Sequence, residues 1–182
     1  MSCVAVKVYK DKIEIACDSS ITQGDMILPS TFMKMEQFTL KNPYTNNSTD
    51  TYNIVAASAG TIEVIDAFFY YIANLDPNDY RYLDYRSDIR NLMEKFVKTL
   101  NDRERDFGPD NNEFILAING KVYYIFATLV DEITTYRAIG SGCPYANTAL
   151  LLGKSAKVAV KTATKMDTCT NGPIHVIELP KE

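Results

Sequence analysis

The hydrophobic period of this chain switches between two and 3.6 residues in long blocks, and that ordering limits what it can fold into. Val4, Val6 and Val8 alternate with Ala5 and Lys7, and Ile13 and Ile15 alternate with Lys12, Glu14 and Ala16. Period two marks strands, and Lys10-Asp11 between the runs fits a hairpin. Residues 18–25 have loop chemistry. Phe32–Phe38 reads as another strand, 41–50 as a turn-rich excursion, and Tyr52–Ala59 as a buried strand stopping at Gly60. The period then becomes helical. Ile62, Ile65, Phe68, Phe69 and Ile72 predict a helix to about Leu75, broken by Asp76-Pro77-Asn78-Asp79. Ile89, Leu92, Met93, Phe96, Val97 and Leu100 predict a second, from a capping Ser87 to about Phe107.

Strands return after that. Phe114–Ile118 and Lys121–Phe126 flank Asn119-Gly120, the strongest short-range hairpin signal. Thr134–Ile139 extends the sheet. Pro144–Leu152 and Ser155–Met166 read as two more helices, and Ile174–Leu179 as a closing strand. Blocks of this kind argue against a βαβ repeat. They predict an α+β protein with two antiparallel sheets between helix pairs. At 182 residues, a single domain over 1–182 is expected.

Composition narrows the function classes. Net charge is −4, which gives no electrostatic case for nucleic acid or an acidic membrane as partner. The four cysteines, Cys3, Cys17, Cys143 and Cys169, form no CxxC pair, so free thiols in a reducing, cytoplasmic setting are expected. A lone His175 excludes a site that needs two histidines, and as a strand residue it has no expected catalytic role. No stretch is long and apolar enough to span a membrane. The tyrosines Tyr80, Tyr82 and Tyr85 suggest a loop that packs or covers a contact.

The chemistry starts at Met1-Ser2. Removal of Met1 would leave a serine whose hydroxyl is a nucleophile and whose α-amine, with a pKa of about 8, is a base near neutral pH. Cys3 is the rival by reactivity, but it lies one strand residue on and faces the other way.

These residues resemble the proteasome β-subunit family, and within it the HslV-type peptidases, over nearly the whole chain. Ser2-Cys3-Val4-Ala5-Val6 stands where the family has its threonine opening. Ile15-Ala16-Cys17-Asp18 is followed by Lys34, and Ala57-Ser58-Ala59-Gly60 precedes a helix. Ala138-Ile139-Gly140-Ser141-Gly142-Cys143-Pro144-Tyr145-Ala146 matches the HslV run at every position but Cys143, where the family has glycine. The resemblance implies a four-layer α-β-β-α sandwich and an N-terminal nucleophile hydrolase. It implies that Ser2 attacks, that Lys34 places a positive charge beside it, and that Asp18 holds Lys34. As plain residues, Asp18 and Lys34 could equally be a surface pair worth about 0–1 kcal/mol.

The resemblance further implies that Gly60 offers its N–H to an oxyanion. Gly60 could also be a helix-start glycine chosen for backbone shape. It places Ser141 beside the terminal amine, whereas the residue alone could cap the helix from Pro144. Asp167 and Thr170 match a pattern whose side chains hydrogen-bond near that amine. No cofactor is required. The backbone carbonyls of Thr164, Asp167 and Thr170 would offer sites to a monovalent or divalent cation, sodium or magnesium. The implied activity is peptide or unfolded-protein hydrolysis inside a homo-oligomeric ring, fed by a separate AAA+ unfoldase, since the chain has no GxxxxGK[ST] motif. A catalytically silent scaffold subunit and a small-molecule amidase of the same fold are the alternatives.

Overall fold

The computed structural model describes residues 2–23, 26–28, 31–41, 51–76, 83, 85–101, 112–127 and 129–181. Met1, most of the 41–50 excursion, Tyr80, Tyr82 and the expected helix tail over 102–107 lie outside them. Strands β1 (Val4–Val8) and β2 (Lys12–Asp18) pair antiparallel. With β10 (Tyr136–Ile139) and β11 (Ile174–Pro180) they form a four-stranded sheet, in the order β10-β1-β2-β11. A five-stranded sheet runs β5 (Met35–Lys41), β6 (Thr51–Ala59), β7 (Glu113–Ile118), β8 (Lys121–Phe126), β9 (Leu129–Glu132). The helices are α1 (Ile62–Ala73), α2 (Arg86–Asn101), α3 (Cys143–Leu151) and α4 (Ala156–Met166).

The layers follow from the alternation of side chains along each strand. Val4, Val6, Ile13 and Ile15 point to a core shared with Val55, Ala57, Ile115 and Ala117, so the two sheets pack face to face. Ile54, Ala56, Phe114 and Leu116, on the other face of β6 and β7, join Phe68, Ile72, Phe96 and Leu100 of α1 and α2. Cys3, Ala5 and Ala16, on the other face of the first sheet, meet Ala146, Ala149, Ala159 and Ala163 of α3 and α4. The result is the expected α-β-β-α sandwich. The α3–α4 layer is built of small residues, which lets helix backbones approach the sheet closely. Asn119 and Gly120 take φ values of 50° and 70°, as the β7–β8 hairpin turn requires.

Several boundaries differ from expectation, each for a local reason. Helix α2 starts at Arg86, with Tyr85 as the residue before it. The Asp88 carboxylate reaches back to accept the Tyr85 N–H at 2.9 Å, so Ser87 is not the cap. Helix α3 starts at Cys143, one residue earlier than Pro144. The strand expected over Phe32–Phe38 is shifted to Met35–Lys41, because Phe32 leaves the ladder to stack on Phe69, 6.4 Å between centroids. The expected loop after Asp18 instead contains a small hairpin, β3 (Ile21–Gln23) and β4 (Met26–Leu28), and β9 was not anticipated.

The outer apolar layer gives a direct test. Phe68 is fully buried, 4.5 Å from the Phe114 ring and 5.1 Å from Phe96. Phe68→Ala should lower unfolding free energy by about 3–5 kcal/mol in urea titration. Tyr70→Ala on the exposed face of α1 should change it by about 0.5 kcal/mol or less. A Phe68 variant no less stable than the Tyr70 variant would contradict the assigned layer.

Candidate active site

The peptide unit that follows Ser2 is clamped at both ends. Its N–H, that of Cys3, donates to Asp18 Oδ1 at 2.8 Å. Its carbonyl, that of Ser2, accepts the Gly142 N–H at 3.2 Å and a longer contact from the Ser141 hydroxyl at 3.4 Å. Asp18 also donates its own N–H to the Cys3 carbonyl at 3.1 Å. Ser2 is therefore held through its main chain, at the start of β1 and beside the end of β2.

Asp18 and Lys34 are not a surface pair. Their side chains are 0% and 3% exposed, with Lys34 Nζ 2.9 Å from Asp18 Oδ1. The other carboxylate oxygen accepts the Ser20 hydroxyl, the Ser20 N–H at 3.1 Å and the Asn171 N–H at 3.3 Å. A carboxylate so saturated can stay buried as an anion, and its charge in turn compensates the lysine.

Ser2, Lys34 and Gly60 line one cleft, together with Ser20, Ile21, Thr22, Phe32, Ile62 and Ile65. Gly60 links β6 to α1 with φ of 152°, a value that favours glycine. The following N–H, of Thr61, is taken by the buried Asn112 side chain at 2.9 Å, which fixes the strand-to-helix turn.

Ser141, Asp167 and Thr170 form a second cluster behind the Ser2 carbonyl. Ser141 Oγ donates to Asp167 Oδ2 at 2.8 Å, and the Thr170 hydroxyl donates to the same oxygen. Burial works to raise the Asp167 pKa. The bonds from Thr170, Ser141 and the Cys169 N–H outweigh it and hold the carboxyl below its ordinary value. Ser141 does not cap α3: Gly142 is the N-cap residue and no side chain caps that helix. Both glycines of the turn are sterically required. A Cβ on Gly140, φ 86°, would fall 2.2 Å from the Ser2 carbonyl oxygen, and one on Gly142 would fall 2.8 Å from Thr170 Oγ1.

Cys3 points away from the cleft into the α3–α4 layer and is fully buried. Burial first, and then the charge of Asp18, pushes its thiol far above the ordinary value. It is a poor nucleophile. His175 sits in β11 opposite Cys17. Tyr85 is exposed, with Lys121 Nζ 5.6 Å over its ring. Among the carbonyls expected to suit a cation, that of Asp167 accepts the Thr170 N–H at 3.2 Å.

Two residues of the site escaped the sequence reading. Ser20 binds both Asp18 and the Cys169 carbonyl, 3.1 Å away, so it ties the β2 end to the α4–β11 connection. Glu113 accepts the Gly140 N–H at 2.9 Å. A polar residue at the head of the apolar run Phe114–Ile118 was the available signal for the latter.

No family model matches the chain, and no curated protein matches it. Solved structures do. BPH from Thiobacillus denitrificans, in complex with epoxomicin, is 17% identical with a TM-score of 0.80, covering 99% of each chain. Anbu (ancestral beta-subunit) from Yersinia bercovieri is 18% identical with a TM-score of 0.75, over 98% of this chain and 81% of that one. Eukaryotic HslV from Trypanosoma brucei is 16% identical with a TM-score of 0.64, over 98% and 99%. At such identities the likeness shows the fold alone: the α-β-β-α architecture is shared with BPH, Anbu and HslV.

Proposed function

We propose that the chain hydrolyses amide bonds of peptides or unfolded proteins, with Ser2 as nucleophile once Met1 is removed. The observation that carries this reading is the meeting of Ser2, Lys34 and Gly60 on one cleft, with Lys34 anchored by the buried Asp18. Ser2 Oγ adds to the substrate carbonyl carbon while its proton passes, through a water, to the α-amine. The Lys34 ammonium favours both the developing alkoxide and the unprotonated amine. The Gly60 N–H meets the oxyanion. The amine then returns its proton to the leaving nitrogen as the C–N bond breaks, leaving an ester on Ser2. A water adds to that ester, gives its proton to the amine, and releases the acid as the proton returns to Oγ.

Asp167, with Ser141 and Thr170, holds a negative charge and two oriented hydroxyls behind Ser2. No cofactor is needed for these steps. A sodium or magnesium ion on the carbonyls of Thr164, Asp167 and Thr170 would brace the turn that carries Asp167. A homo-oligomeric ring would screen a site of broad specificity, and Met26 and Ile27 on the β3–β4 hairpin are exposed apolar surface for such contacts. A separate AAA+ unfoldase would supply substrate. Free Cys3, Cys17, Cys143 and Cys169 suit a reducing cytoplasm.

The intact mass of the purified protein should lack Met1, and that protein should hydrolyse a fluorogenic peptide. Ser2→Ala should abolish turnover while leaving assembly, read by light scattering, unchanged. A Ser2→Ala protein as active as its parent removes Ser2 from the reaction. Lys34→Ala should lower kcat by more than about tenfold, because the ammonium acts on transition-state charge. A change confined to KM would contradict that role. Epoxomicin, present in the Thiobacillus denitrificans BPH structure, should inhibit peptide hydrolysis by the Met1-free protein.

A further inference from the structure

The Gly140 turn has to be held from outside, because nothing in its own sequence can fix it. Glycine offers no side chain to pack, and its positive φ is one of several conformations open to it. Yet its position is critical. The face of Gly140 where a Cβ would stand is filled by the carbonyl carbon and oxygen of Ser2 and by Ala59 Cβ. Ala59 is the residue before Gly60. The turn therefore abuts both Ser2 and the end of the strand that leads to Gly60.

One side chain spans this junction. Glu113 opens β7 in the five-stranded sheet, where it is the register partner of Ala59. Its Oε2 accepts the Gly140 N–H at 2.9 Å, across to the other sheet. Its Oε1 accepts the Tyr124 hydroxyl at 2.9 Å, which fixes the carboxylate plane. Burial, the Glu113 charge and this hydrogen bond push the Tyr124 hydroxyl up to about 12, so it remains a donor at neutral pH. The Arg137 guanidinium lies 3.4 Å over the Tyr124 ring and is itself 3.4 Å from Asp131. The Glu113 main chain is pinned as well: its carbonyl accepts the Ser58 hydroxyl at 2.8 Å.

We infer that Glu113 is a positioning residue for the hydrolysis, braced by Tyr124, which fixes the placement of Ser2 relative to Gly60 by holding the Gly140 turn against both Ser2 and Ala59. It touches neither substrate nor the reacting atoms. Its effect passes through the Gly140 N–H to the Ser2 carbonyl, and through its pairing with Ala59 to Gly60. The inference rests on the proposed role of Ser2. A shift of about 1 Å at a reacting group can cost about 10²-fold in rate without affecting binding.

The test uses the full-length, Met1-free protein and its Glu113→Ala, Glu113→Gln and Tyr124→Phe variants. With a fluorogenic peptide, Glu113→Ala should lower kcat by about 10²-fold while KM stays within about twofold. Glu113→Gln retains an oxygen that can accept from Gly140 and should recover most of the lost rate. Hydrogen exchange, read in the inactive Ser2→Ala background, should show the Gly140 amide losing protection in Glu113→Ala and keeping it in Glu113→Gln. If Glu113→Ala does not fold, Tyr124→Phe carries the test, with a severalfold drop in kcat at unchanged KM. Parental kcat in the alanine and phenylalanine variants, or unchanged Gly140 protection, overturns the inference and leaves Ser2 in place. Turnover that survives Ser2→Ala overturns the nucleophile reading instead, while the exchange data still report whether Glu113 holds the turn.

Discussion

The molecule depends on one carboxylate that never sees solvent. Asp18 receives an ammonium, two hydrogen bonds from Ser20 and two backbone N–H groups that come from opposite ends of the chain, Cys3 and Asn171. Removing one member of a buried ion pair typically costs about 3–5 kcal/mol, because the other is left uncompensated. Asp18 is for that reason both a structural knot and the anchor of Lys34. The strand β2 ends there, the chain start is fastened there, and the α4–β11 connection closes over it. The buried charge of Lys34, which lines one cleft with Ser2, is thus maintained by the same contacts that maintain the fold.

The second constraint is the difference between the two helix layers. The α1–α2 side is filled with aromatic rings, Phe68, Phe96 and Phe114, stacked tilted or edge-on. The α3–α4 side is filled with alanines. Bulk on one side gives cohesion. Smallness on the other lets Gly142 approach Cys3 and Ala163 closely enough to reach the Ser2 carbonyl. Two charged side chains fasten this thin layer to the sheet: Glu14 accepts the Lys157 N–H at 3.1 Å at the start of α4, and Lys7 donates to the Gly153 and Lys154 carbonyls just past the end of α3.

Architecture was legible where the period of the side chains decided it. The alternation Val4, Val6, Ile13, Ile15 and the helical recurrence from Ile62 to Ile72 place each element correctly, because burial of one face is a local property of the sequence. The Asn119-Gly120 hairpin was legible because only such residues take two successive positive φ values readily. What failed was set by contacts between distant residues. Phe32 is as apolar as a strand residue, but Phe69 draws it out of the ladder. Asp88, not Ser87, satisfies the free N–H at the start of α2. Strand β9 is short, and Leu129, Asp131 and Glu132 are exposed, so its pattern is weak. The motif residues Ser2, Asp18, Lys34, Gly60, Ser141, Asp167 and Thr170 do come together in two adjoining clusters. Ser20 carried no such signal and Glu113 only its place at the head of an apolar run, since each acts on a backbone group far along the chain and neither belongs to a spaced motif.

The restraints on Ser2 described above bear on its peptide bond, and that has a consequence for how such a protein can diverge. The scaffold recognises a position, not a side chain. The clamp from Asp18 and Gly142 grips main-chain atoms alone, so replacing Ser2 by alanine leaves each of those bonds in place.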